Sequence, residues 1–141
     1  MKRSPIRKKS NRKKLRDRLG KLHFEILKLE RGEKCEITNR ECNDLGRFHI
    51  LPVGRYPELE YHSENVLLAS WFYCHEAWHH DYFKAKAIET DIKRLRGDNY
   101  EDTLKFRAKI QPRHTIVYLK DLEKAFKLAK KILQKKAGVG N

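Results

Sequence analysis

Gly46-Arg47-Phe48-His49-Ile50-Leu51-Pro52, then Tyr56-Pro57-Glu58-Leu59, Glu64-Asn65-Val66 and finally Cys74-His75, is the stretch on which the fold turns. Gly46, Pro52, Gly54 and Pro57 interrupt any helix there, since proline removes a backbone donor and clashes with the preceding turn. Two short apolar pieces, Phe48 to Leu51 and Tyr61 with its neighbours, are long enough for brief strands. The segment from Cys35 to about Asn65 therefore reads as an irregular antiparallel hairpin with a sizeable connecting loop. His49 sits on a strand candidate just before that loop. His75 and His79 are four apart, so on a helix they share a face and can approach one cation.

On the N-terminal side, Ser10 or Asn11 caps a helix reaching about Arg31. Leu15, Leu19, Leu22, Ile26 and Leu29 recur at spacings of four and three along it, which places them on one stripe. Gly32 and the polar Glu33-Lys34 end it. On the C-terminal side, Ser63-Glu64-Asn65 offers capping groups, so a helix is expected to begin at Asn65 and run over Val66 to Ala69. Glu76 to Leu95 reads as largely helical, and Gly97-Asp98-Asn99 as a turn. A short helix from Tyr100 to about Ile110 is stopped by Gln111-Pro112. The last helix, about Ile116 to Lys136, carries Leu119, Leu122, Phe126, Ala129 and Leu133 on one face and lysines largely elsewhere. Residues 1–9 read as a disordered basic arm, and Gly138 to Asn141 as a frayed tail. The expected fold class is α+β. It is a mostly helical single domain over 10–137, with a central hairpin-helix unit at about 35–80, a helical extension over 81–137 and basic helices as flanks.

The charge map gives this layout a purpose. The chain carries a net charge of +14 over 141 residues. Met1 to Leu22 holds eleven Lys and Arg against Asp17 alone, whereas Cys35 to His80 holds three Arg against seven acids. From Asp81 onward sixteen bases face eight acids. Basic flanks thus enclose an acidic middle rich in His and Cys. Such flanks hold phosphates by displacing counterions, while the middle supplies polar ligands for a cation. Lys8, Lys9, Arg12, Lys13, Lys14 and Arg16 are the expected nucleic-acid-binding residues. The bland alternative is a soluble, lysine-rich helical surface. No stretch approaches the roughly 20 apolar residues of a membrane span, and no apolar run follows the basic start as in a secretory signal. Three cysteines leave one over from any paired scheme, which points to reduced thiols or metal ligation in a cytoplasmic protein.

The order His49, Asn65, His75, with Pro57 and Leu59 between the first two, resembles the HNH (ββα-metal) endonucleases. Within that family, the run from Gly46 through Asn65 is similar to the phage recombination endonucleases called NinG or Rap. The similar features are a Gly shortly before the His, a Gly five residues after it, Pro-x-Leu and a terminal Asn. The resemblance covers Cys35 to His80, about a third of the chain. It implies a ββα unit gripping one divalent ion and a metal-dependent cut in DNA that is selective for structure rather than sequence. By position, His49 corresponds to the general base, Asn65 to a clamp on the hairpin, and His75 to the final metal-binding residue. Mg²⁺ or Mn²⁺ is the implied ion, with Zn²⁺ or Ni²⁺ as alternatives. The family's other ligand commonly stands just before the base, where this chain has Phe48. That leaves His79 or His80 as the second partner.

Many relatives also brace the hairpin with zinc on two Cys-x-x-Cys pairs. Here Cys35 and Cys42 precede the hairpin and Cys74 follows it, with Trp71 where a fourth Cys would stand. A structural zinc on Cys35, Cys42 and Cys74, completed by His79 or His80, would contribute roughly 10–16 kcal/mol to folding. The alternative is three buried or partly buried thiols. Tyr56 and Tyr61 either stack on bases or pack the hairpin, and His62 and His114 read as surface residues. The chief alternative function is a non-catalytic nucleic-acid-binding protein on a degenerate HNH or zinc-hairpin scaffold, which Phe48 favours. An RNA-binding protein of ribosomal type ranks last, since it has no need of the His49, Asn65, His75 order.

Overall fold

A serine hydroxyl starts the first helix: Ser10 Oγ accepts the Lys13 N–H at 3.1 Å, and α1 (Asn11–Arg31) follows. The computed structural model describes residues 10–139. The expected basic arm, including Lys8 and Lys9, lies outside the described residues, as do the last two residues of the expected frayed tail. α1 ends at Gly32, whose φ of 86° is a conformation that a residue with a Cβ rarely adopts. The remaining elements are β1 (Leu45–His49), β2 (Val66–Ser70), α2 (Glu76–His80), α3 (Tyr82–Arg96), α4 (Tyr100–Ile110) and α5 (Ile116–Val139). The protein is a small, mostly helical domain carrying one two-stranded sheet. None of the helices is long and apolar enough to cross a membrane, among the described residues.

The sheet is where the expectation needs correction. β1 begins at Leu45 and pairs antiparallel with β2, with Phe48 opposite Leu67 and His49 opposite Val66. The piece expected as a helix from Asn65 is therefore the second strand, and Tyr61 lies in the loop instead. The physical reason is burial on both faces. Every residue of β2 is buried, so it reads as a continuous apolar run with no alternation to separate strand from helix. Val66 and Leu68 pack with Leu27 and Phe24 of α1, while Leu67 and Ala69 join Phe48, Cys74, Ala77, Ile88 and Ile92 on the other side. A two-stranded sheet is marginal alone; here helices cover both faces.

The outer edge of β2 is also covered. Glu36 exchanges two hydrogen bonds with the Leu68 backbone, at 2.7 and 2.6 Å. Arg31 and Arg96 both donate to the Val66 carbonyl, at 2.7 and 3.1 Å. Charged side chains on these backbone groups block further strand pairing. After β2, Asp44 takes up the Ser70 hydroxyl and the Phe72 N–H, all at 2.9 Å, and the chain enters one π-helical turn, Trp71–His75. The stretch expected to be largely helical from Glu76 to Leu95 is so, with one break at Asp81, whose side chain accepts from the Lys84 N–H and starts α3 afresh.

α1 and α5, the first and last helices, lie side by side and run in the same direction: Arg18 pairs with Glu123, and seven residues on Glu25 pairs with Lys130. Leu15, Leu19, Leu119 and Tyr61 form their shared core. His23 is buried in this seam, its ring stacked on Phe126 with centroids 5.5 Å apart. Burial first, and then the charge of Arg47, lower its pKa to about 3. The unfolded chain therefore takes up a proton near pH 6.5 that the folded chain refuses until about pH 3. Stability is complete above that window and falls as pH drops through it, by about 1.4 kcal/mol per pH unit. Chemical denaturation of the wild type and a His23→Gln variant between pH 7 and pH 4 checks this. The variant should show a flatter slope, and equal slopes would exclude His23 as the origin.

Candidate functional site

The loop between β1 and β2 is closed by one side chain. Asn65 is fully buried; its Oδ1 accepts the Leu51 N–H at 2.8 Å, and its Nδ2 donates to the carbonyls of Leu51 at 3.1 Å and Leu59 at 3.4 Å. The Ile50 N–H also donates to the Asn65 carbonyl at 2.8 Å. The loop start, the Pro57–Leu59 turn and the strand end are thereby tied together at one residue. This geometry is that of a clamp.

One residue past Leu59 stands Glu60, whose backbone carbonyl faces His49. His49 Nε2 lies 3.0 Å from the Glu60 oxygen. A carbonyl can only accept, so Nε2 carries the hydrogen and Nδ1 carries the lone pair. Burial, partly offset by this hydrogen bond, lowers the His49 pKa, and the charge of Arg47 lowers it further. His49 is thus a neutral imidazole of fixed tautomer near pH 7. Arg47 shares the same carbonyl at 3.1 Å and also donates to His23 Nδ1 at 3.2 Å, while His23 Nε2 is 3.3 Å from Ser63 Oγ. A polar chain from Ser63 through His23 and Arg47 to Glu60 and His49 therefore lies beneath the loop. Gly20 makes room for it: a Cβ at that position would come within 2.8 Å of Arg47 Nη2.

His75 and His79 are brought together, whereas among the described residues no ring contact or hydrogen bond joins His49 to either of them. The rings of His75 and His79 have centroids 4.9 Å apart on successive turns. His75 is held by stacking on Trp71, at 3.9 Å and 12°. Strand alternation puts His49 and Arg47 on the α1 side of the sheet, while the Phe48 ring points to the other side and meets His75 edge-on at 6.1 Å and Trp78 at 5.6 Å. Among the described residues no three His, Cys, Asp or Glu side chains gather as an enclosing metal cage. The imidazoles that could share an ion are those of His75 and His79, as an open site whose other positions would fall to water and phosphate oxygen. Burial, and then its neighbour His79, lower the His75 pKa, which keeps its lone pair available.

The cysteines form a smaller assembly than expected. Cys35 and Cys74 sulfurs are 3.7 Å apart, and Cys35 also accepts the N–H groups of Thr38 and Ser70 at 3.4 Å. The bond from Cys74 pulls the Cys35 thiol below its ordinary range and pushes Cys74 up. Cys42 is half-buried at the rim beside Asp44. The four-ligand zinc set is not assembled, because His79 turns toward His75, and His80 toward Glu76 at 3.8 Å. Cys35 and Cys74 are buried and Cys42 is half-buried.

Of the expected phosphate contacts, Arg12, Lys13 and Lys14 are exposed on α1. Arg16 instead reaches Glu60, with guanidinium to carboxylate distances of 3.0 to 3.2 Å. A cleft of about 640 Å³ runs between α1 and β1, lined by Lys13, Arg16, Lys21 and Arg47 with Asp17 and Glu60. It opens on the same side of the sheet as His49. A larger cleft of about 910 Å³, at the far end of α1 against Cys42, borders neither His49 nor His75. Tyr61 is buried, and His114 is half-buried between Tyr61 and Tyr118, so packing accounts for both. Sequence reasoning missed Arg47, His23 and Glu60. The first two are 24 positions apart and meet only through tertiary packing, and Glu60 acts through a backbone atom. No family model matches the chain, and neither the curated proteins nor the solved structures give a match.

Proposed function

We propose that this protein is a metal-dependent endonuclease of the HNH kind that hydrolyses phosphodiester bonds in DNA. The observation that supports it most is the hydrogen bond from His49 Nε2 to the Glu60 carbonyl. It fixes a neutral imidazole with a basic Nδ1 at the end of β1, on the side of the sheet where the cleft lined by Lys13, Arg16, Lys21 and Arg47 with Asp17 and Glu60 opens. In this reading His49 takes the proton of the attacking water, and the carbonyl stabilises the imidazolium that results. Asn65 and Arg47 are positioning residues: they hold the loop that holds His49. A divalent ion on His75 and His79 would neutralise charge on the phosphate. Arg12, Lys13, Lys14 and Lys21 grip the DNA backbone, which positions the duplex without reading its sequence. Cleavage is therefore expected to be weakly sequence-selective and to fall steeply with salt.

A second reading is favoured by one observation. Phe48 is buried where a metal ligand is expected, and its ring fills the space against His75 and Trp78. On that reading the protein binds nucleic acid without cutting it. Incubation with linear, nicked and four-way-junction DNA, with Mg²⁺, Mn²⁺, Zn²⁺ or Ni²⁺ and with or without EDTA, separates the two. The nuclease produces strand breaks that EDTA suppresses. Retarded but intact DNA under every metal would leave only the binding protein.

A further inference from the structure

The π-helical turn that delivers His75 also carries Trp71, Phe72 and Tyr73, three consecutive aromatic residues with 51%, 68% and 67% of their surface exposed. Tyr82 and Phe83, at the start of α3, are exposed as well. The reason the first three face outward lies in the turn itself. Ser70 and Asp44 bind the backbone at its start, so the residue turned inward is Cys74, which packs against Cys35. Leaving three adjacent rings in water is unfavourable, since each would release apolar surface if covered. Packing accounts for one face of Trp71, which lies on His75, and not for the exposed faces of the three. Their only ring contacts among the described residues are Trp71 with His75 and Phe72 with Tyr73.

We infer that Trp71, Phe72 and Tyr73 form a stacking site for unpaired nucleobases of a DNA strand whose backbone passes His75 and His79. The inference rests on the nuclease reading and names its substrate class: DNA with single-stranded or splayed bases. Three observations favour a base over another apolar occupant. The exposed residues here are all rings, without the aliphatic side chains that lie exposed on α4 and α5, and a base presents a flat π-face to match. The Trp71 ring is already covered on one face by His75, stacked at 3.9 Å, so its open face continues a column that leads to the proposed ion site. The net charge of the whole chain, +14, draws a phosphate backbone to the protein and opposes a second copy of itself, and it comes from the flanks, since the Cys35 to His80 stretch that holds the rings is acidic. The nearby carboxylates are Asp44, which stays ionised while it accepts from Ser70 and Phe72, and Glu76, 3.8 Å from His80.

The test is binding with metal chelated, so cleavage plays no part in it. A fluorescent oligothymidylate is compared with an oligomer of equal length and charge in which the sugars are abasic. The wild type should bind the base-bearing strand about tenfold or more tightly than the abasic one, as stacking of one to two bases predicts. It should also quench tryptophan fluorescence. A Phe72→Ala/Tyr73→Ala double variant, its folding checked by circular dichroism, should lose most of that preference but keep its affinity for the abasic strand. Equal binding of the two strands by the wild type overturns the inference, and so does a double variant with undiminished preference. Sedimentation that shows a dimer dissolved by the same double variant also overturns it, by assigning the rings to a second copy. A positive result with no nuclease activity under any metal would keep the stacking site and remove the enzyme. Cleavage with no preference for bases would do the reverse.

Discussion

Replacing His49 with Ala is expected to lower metal-dependent DNA cleavage by roughly 10²- to 10⁴-fold, the contribution of a general base, while DNA affinity changes less than about threefold. The two halves of this expectation come from different parts of the molecule. On the proposed reading the base is one imidazole held by the Glu60 carbonyl, whereas phosphate binding is spread over α1 and its cleft. The variant should fold, because His49 is only half-buried and its removal leaves a carbonyl that Arg47 still satisfies. The pH profile gives a second signature. Burial lowers the His49 pKa, so the base stays deprotonated down to a pH below its ordinary 6.5. Cleavage should hold through neutrality and fall only on the acid side of that value, while DNA binding does not fall with it. Plasmid nicking measured across pH, with protein purified free of host nuclease, checks both. Cleavage retained by His49→Ala would take the base role away from His49.

What the sequence made legible follows from how local each signal is. α1, α4 and α5 were readable because their caps, stops and apolar stripes sit within a few turns. The hairpin was readable at its first half, where Gly46 and Pro52 bracket a short apolar piece. Its second strand was not, because Val66 to Ser70 is covered by α1 on one face and by the α2 and α3 side on the other. The capping residues before it misled for a related reason. Ser63 to Asn65 does form a single helical turn, but Asn65 spends its side chain on Leu51 and Leu59 instead of on a following helix. The candidate site was legible as a list of residues and not as an arrangement. Nothing in the one-dimensional pattern says that Phe48 and His49 point to opposite sides of the sheet except the strand period itself, and that period places the Phe48 ring against His75. Nor could it reveal that Arg16 pairs with a carboxylate, since Glu60 lies 44 positions away.

Asn65→Ala is expected to cost about 3–5 kcal/mol of stability, among the largest effects of any single side chain here. The estimate follows from what the truncation strands. The Leu51 N–H and C=O both lose their partner inside a fully buried site, and the Leu59 carbonyl loses a weaker one. A buried group left unpaired costs roughly 1–3 kcal/mol, which exceeds the net worth of the bond when made. Asn65→Asp makes the test specific. Its carboxylate can still accept from Leu51 N–H but cannot donate to either carbonyl, and it places a charge where water is excluded. It should therefore be no more stable than the Ala variant. Denaturant unfolding gives the stabilities, and cleavage measured well below the unfolding midpoint gives the functional consequence. Because Glu60 directly follows the clamped Leu59, a loosened loop moves the carbonyl that orients His49. Cleavage should thus fall further than the loss of folded protein accounts for. A variant that loses less than about 1 kcal/mol, or that cleaves in proportion to its folded fraction, would show that Asn65 neither clamps the loop nor positions the base.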